Sequence, residues 1–139
     1  MKRKALGIML ALILLPAFLA CGNVTTSGTD TLTGTITFEL YDANDGLISQ
    51  KTIAYEESDT LLGLLQENYT VYCNDADGNP DDTCSYEYTF GHYIVGIGDL
   101  DAYTDDTYYI SFYINGQYSM TGIDDTPITD GYCYQFKLE

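Results

Sequence analysis

His92 is the only histidine in the chain, and it sits between Gly91 and Tyr93. A general base needs a nucleophile or an acidic proton within hydrogen-bond reach, and no serine or cysteine here lies in a nucleophile context such as G-x-S-x-G. His92 is therefore expected to be a hydrogen-bonding loop residue, and the chain reads as non-enzymatic. Carboxylates are plentiful enough to include a glycosidase pair. They fall mostly beside Gly, Asn and Pro, where Asp is favoured because it hydrogen-bonds its own turn. The sharpest metal pattern is Asp75-Ala76-Asp77-Gly78-Asn79-Pro80-Asp81-Asp82, which offers Asp75, Asp77, Asn79 and Asp81 at alternate positions to calcium, an oxygen-seeking ion. Pro80 occupies the place of the EF-hand glycine, and Tyr86 replaces the closing bidentate carboxylate, although Glu87 is adjacent. An acidic surface loop explains the same run with fewer requirements.

Tyrosine is the more promising recognition chemistry. In Tyr108 to Asp125, YYISFYINGQYSMTGIDD, the period-two alternation of a strand puts Tyr108, Ile110, Phe112 and Ile114 on one face and Tyr109, Ser111, Tyr113 and Asn115 on the other. Tyr118 lies just past Asn115-Gly116, a pair suited to a two-residue turn with positive φ at both positions. Tyr109, Tyr113 and Tyr118 can thus form a displayed patch at the hairpin. Tyrosine brings broad apolar area, a polar tip and few rotors to freeze, which suits flat, amide-bearing or sugar-like ligands. Aromatic residues also favour pleated surfaces with no ligand at all.

The elements that must carry this hairpin follow the same periodicities. Thr35 to Tyr41 alternates as a half-buried strand, Asp42 to Gly46 supplies turn residues, and Leu47 to Tyr55 returns antiparallel. Ser58 or Asp59 can cap a short helix over Thr60 to Asn68, with Leu61, Leu62, Leu64 and Leu65 as its apolar stripe. Further strands are expected over Tyr69 to Cys73, Ser85 to Phe90, Tyr93 to Ile97 and Tyr132 to Leu138, the last with Tyr132, Tyr134, Phe136 and Leu138 on one side. One helix across a mixed or antiparallel sheet is an α+β arrangement of the β-grasp kind.

Lys2, Arg3 and Lys4 precede an apolar run ending in Phe18-Leu19-Ala20-Cys21. This has the form of a secretion leader over residues 1–20 closed by a bacterial lipobox, with Cys21 as the lipid-modified residue. Residues 21–34, rich in Thr, Ser and Gly, read as a flexible tether, and residues 35–139 as one folded domain. The expected location is outside the cytoplasm, anchored to the bacterial membrane by lipid. Past the leader only Lys51 and Lys137 stand against 21 acidic residues, a net charge of −19 that disfavours nucleic acid. Fourteen tyrosines supply the apolar area that keeps so acidic a chain folded. Disulfides are permitted in such a compartment, and Cys73 and Cys84 bracket the acidic loop. Closing so short a loop contributes on the order of 2 to 3 kcal/mol. Cys133 is then a free thiol or the partner of one of the other two.

Three stretches, TITFELYDANDGLISQKTIAYEESDTLLGLL, GHYIVGIGDL and YYISFYINGQYSMTGIDDTPITDGYCYQFKLE, together resemble the transcobalamin-like C-terminal domain family, DUF4430. The most specific marks are Tyr108-Tyr109, Asn115-Gly116, Gly122-Ile123-Asp124 and Asp130-Gly131. The resemblance implies a β-grasp-like sheet with one helix. In vertebrate cobalamin carriers the equivalent domain covers one face of the corrin ring with this hairpin, which makes Tyr109, Ile110, Ser119 and Met120 the implied ligand neighbours. Those carriers have Tyr-Trp where this chain has Tyr108-Tyr109, and their large helical domain has no counterpart in these residues. The expectation is a non-catalytic binding domain with cobalamin or another corrinoid as ligand. The alternative is an adhesion-type module for a cell-surface protein or glycan.

Overall fold

A computed structural model of the chain describes residues 32–139. The leader, Cys21 and the tether up to residue 31 lie outside the described residues. Strands β1 (Leu32–Tyr41) and β2 (Leu47–Glu56) form the expected antiparallel hairpin, with β1 beginning ahead of Thr35. Asp42 closes its turn: Oδ1 accepts the N–H groups of Asn44 and Gly46 at 2.9 and 2.8 Å. Helix α1 (Leu61–Asn68) follows, capped by Thr60, whose extended backbone aims Oγ1 at the Gly63 N–H, 3.1 Å away. Asp59, one of the expected caps, instead accepts the Glu56 N–H at 2.7 Å.

The chain then builds a second sheet that the sequence did not suggest. Strands β3 (Val71–Asn74), β4 (Pro80–Asp81), β5 (Ile94–Ile97) and β6 (Leu100–Asp101) are ordered β4-β3-β5-β6, all antiparallel. The strand expected over Ser85 to Phe90 is absent. There the Asp81 carboxylate accepts the N–H groups of Thr83 and Ser85, both at 2.9 Å, and Cys84 takes a positive φ of 48°, so the backbone is committed to turns. Cys73 and Cys84 are joined by a disulfide with S–S 2.01 Å, and Cys133 is free.

Strands β7 (Ile110–Ile114), β8 (Gln117–Tyr118) and β9 (Cys133–Leu138) return to the first sheet, whose order is β2-β1-β9-β7-β8. β1 and β9 run parallel at its centre, while β7 pairs antiparallel with both of its neighbours. The fold is thus mostly β, with one short helix and two sheets. Its core lies between the inner face of the five-stranded sheet, the helix, and Val71, Cys73, Ile97 and Leu100 of the second sheet. Ile36, Phe38 and Leu40 of β1 meet Tyr134 and Phe136 of β9, all at 1% exposure or less, over the buried helical leucines. Phe112 stacks on Phe136 with ring centroids 5.1 Å apart. Tyr134 can occupy this core because its hydroxyl is satisfied from the next loop. It donates to the Pro127 carbonyl and accepts the Thr129 N–H, both at 2.9 Å.

Candidate functional site

The outer face of the five-stranded sheet carries the hairpin tyrosines. Asn115 and Gly116 have φ of 49° and 80°, the positive pair that a primed hairpin turn requires. The tip is exposed but does not stand away from the body. Asn115 Oδ1 accepts the Cys133 N–H at 2.9 Å, and Gln135 Oε1 accepts the Gly116 N–H at 2.7 Å. The patch is thus carried on a sheet edge bound down onto β9.

Tyr109 and Tyr118 are 51% and 60% exposed, so the patch is open at both ends. Tyr113 lies between them, half-buried, in edge contact with Tyr118 at 5.5 Å. This face is not bare, because Glu139 organises it. Its Oε1 accepts the Tyr113 hydroxyl at 2.8 Å, its Oε2 accepts the buried Ser111 hydroxyl, and the Tyr109 hydroxyl reaches Oε2 at 3.5 Å. The hydroxyl groups, Ser111 foremost, hold the Glu139 carboxyl below the ordinary range, and the carboxylate in turn raises Tyr113. Sequence reasoning missed Glu139. The one available signal was its place on the Cys133, Gln135, Lys137 side of the last strand.

Beside this cluster Lys137 places Nζ 4.8 Å from the Tyr113 ring centroid and 5.3 Å from that of Tyr41, with Asp45 Oδ1 at 3.4 Å. Further along, Glu39 accepts from Tyr41, Gln50 and Gln135 at 2.7 to 2.8 Å. Cys133 lies next to it, its thiol pushed up to about 12 by burial and then by the Glu39 carboxylate.

The remaining expected ligand neighbours are dispersed. Ile110 points to the inner face, where it lines a space of about 140 Å³ with Phe112, Ile123 and Phe136, so strand alternation separates it from Tyr109 and Tyr113. Ser119 is half-buried and donates to the Thr121 carbonyl at 2.9 Å, and Met120 is 91% exposed. His92 joins two loops: Asp124 accepts its backbone N–H at 2.7 Å, and the ring Nδ1 lies 2.8 Å from Asp124 Oδ1. The pair borders a cavity of about 350 Å³ at the start of α1. The residues of the calcium pattern close turns. Asp75 Oδ1 accepts the N–H groups of Asp77 and Asn79 at 2.9 and 2.8 Å, Asp81 caps Thr83 and Ser85, and both carboxyls are held low by these bonds. Among the described residues no three metal-ligating side chains of His, Cys, Asp or Glu come together.

The profile of a family described as a domain of unknown function, DUF4430, matches residues 58–139, more than half of the chain. The chain belongs to this family. Two solved structures share the DUF4430 chain's fold. A candidate metal-binding protein from Ruminococcus gnavus ATCC 29149 is 18% identical with a TM-score of 0.53, over 76% of this chain and 96% of that one. Haptocorrin, solved in complex with Cbi, is 14% identical with a TM-score of 0.52, over 84% of this chain. The DUF4430 chain spans only 28% of haptocorrin's length. No curated protein matches it. The DUF4430 membership expected from the three stretches is shown by the family match, and the likeness to haptocorrin is one of fold.

Proposed function

We propose that this chain is a non-catalytic, lipid-anchored, extracytoplasmic domain that captures a small molecule on the outer face of its five-stranded sheet, with a corrinoid as the ligand. Its sheet and helix form a β-grasp arrangement, with the parallel pair β1 and β9 at the centre. The observation that carries the reading is the hairpin face, where Tyr109 and Tyr118 stay exposed on either side of a Tyr113 that Glu139 holds in place. Such a surface offers aromatic area to one side of a flat macrocycle at little entropic cost. The fold shared with haptocorrin, a protein solved with Cbi, supports that ligand class. Calcium fits less well, since the oxygens of the acidic loop already accept backbone donors.

Titrating the protein with cobinamide and with cobalamin, followed by visible absorbance and calorimetry, tests the proposal. A saturable spectral shift that weakens in Tyr109→Ala and Tyr118→Ala is the expected result. No shift and no heat at high micromolar corrinoid would defeat it. That outcome would favour a cell-surface protein or glycan partner, for which Phe90 and Met120, 89% and 91% exposed, are ready apolar contacts. The anchor is tested separately: Cys21→Ser should move the protein from the membrane to the soluble fraction.

A further inference from the structure

Past the end of the hairpin face lies a second group of tyrosines, arranged around a cleft of about 250 Å³. Tyr93, Tyr103, Tyr108 and Tyr109 line it, together with Asp106 and with Asn74 of the disulfide-closed loop. The cleft is built. Tyr103 packs against Tyr72 with ring centroids 5.1 Å apart, and both rings lie on Gly96, where a Cβ would come within 2.9 Å of Tyr103 and 3.0 Å of Tyr72. The Asp101 carboxylate fixes the loop below by accepting the N–H groups of Tyr103 and Thr104, both at 3.0 Å. Tyr109 is held by paired backbone bonds with Glu139, each 2.9 Å.

The protein shows elsewhere how it uses such rings. Both lysines among the described residues stand over tyrosine: Lys51 at 4.2 Å from the Tyr69 centroid, and Lys137 over Tyr41 and Tyr113 with Asp45 beside it. Rings that carry a negative face attract a cation, and a nearby carboxylate adds to the attraction. The cleft repeats these components, tyrosine rings and an aspartate, in a region that neither of the two described lysines lines. Asp99, Asp101, Asp105 and Asp106 crowd the adjoining loop, so the local field favours a positive guest.

We propose that the cleft between Tyr93, Tyr103 and Tyr108 binds a small organic cation of the quaternary or methylated ammonium class. A methylated ammonium is weakly hydrated and suits an aromatic lining better than a metal ion does. The test uses the whole chain in mild detergent, with choline and its neutral isostere 3,3-dimethyl-1-butanol as probes, read by calorimetry and by NMR of the probe methyl groups. Choline is expected to bind saturably and the isostere roughly tenfold or more weakly. Tyr93→Ala and Tyr108→Ala should each weaken choline roughly 2- to 30-fold, while Tyr108→Phe, which keeps the ring, and Tyr118→Ala, outside the cleft, should leave it unchanged. Equal binding of the two probes, absence of saturation by choline, or an equal loss in Tyr118→Ala would each overturn the proposal. Because Tyr109 is left intact, these results are independent of corrinoid binding on the hairpin face.

Discussion

The two tyrosine clusters meet at Tyr109 and differ in what completes them. On the hairpin face the partners are internal: Glu139 takes the hydroxyls of Tyr113 and Ser111, and Lys137 lies over the Tyr113 ring. In the cleft Tyr103 is positioned by Gly96 and by the Asp101-capped loop, and neither described lysine is among the lining residues. Similar residues thus serve as a rigid platform in one place and an open receptacle in the other. The difference comes from where the chain's two described lysines fall, since neither reaches the cleft.

The largest effect tests how closed the hairpin face is. Cys133 sits there with its thiol pushed up to about 12, and the thiolate is the reactive form. Alkylation by iodoacetamide near pH 8 should therefore be at least about a hundredfold slower than for an unperturbed cysteine, and Glu39→Gln should speed it up. Ordinary reactivity in the unmodified chain would show this face to be looser than described. Next in size is the disulfide, which ties down the loop carrying Asn74, Gly78 and Pro80 of the cleft wall. Replacing Cys73 and Cys84 together by alanine should cost roughly 2 to 4 kcal/mol in urea unfolding. Hydrogen-exchange protection should fall first in β3 to β5 while β1 and β9 keep theirs, and uniform loss would mean that the two regions are not separable.

Glu139→Ala removes the acceptor of the buried Ser111 hydroxyl and should cost about 1 to 2 kcal/mol. Because the Glu139 carboxyl is lowered in the folded protein, its contribution is present above the ordinary glutamate range and is lost as the pH falls through the folded value. The variant's melting temperature should therefore decline less between pH 5 and pH 3 than that of the parent, and it should also decline less on the alkaline side, where the parent loses the Glu139–Tyr113 contribution. Tyr113 is raised in the fold, so its contribution is complete below the ordinary tyrosine value and is lost as the pH rises through the folded one. Smallest is Tyr118→Ala, an exposed position where stability should move by no more than about 0.5 kcal/mol. A larger change would make the residue structural and weaken its assignment to recognition.

Local pattern made much of this legible. Alternation in β1 and β9 named the core residues Ile36, Phe38, Leu40, Tyr134 and Phe136, because a strand buried on one face must place every second residue inward. Asn115-Gly116 announced its turn, and the bracketing cysteines their bridge. The stretch from Ser85 to Phe90 misled, since its aromatic residues suit a strand while the Asp81 side chain and the bridge at Cys84 hold the preceding backbone in turns. Ile110 was grouped with Tyr109 through the family resemblance, although strand geometry sends the two side chains to opposite faces.

By itself the sequence determined the inward faces of the strands, the hairpin turn, the helix stripe and a strongly acidic surface, all of which depend on residues a few positions apart. Only the tertiary structure decided that β1 and β9 would lie parallel, that Gln135 would reach Glu39 from 96 positions away, and that Tyr93, Tyr103 and Tyr108 would face one cleft. These contacts join segments whose residues carry no local mark of one another. They form because the apolar faces of β1, β9 and α1 have to be buried together, and that burial brings the surface groups along with it.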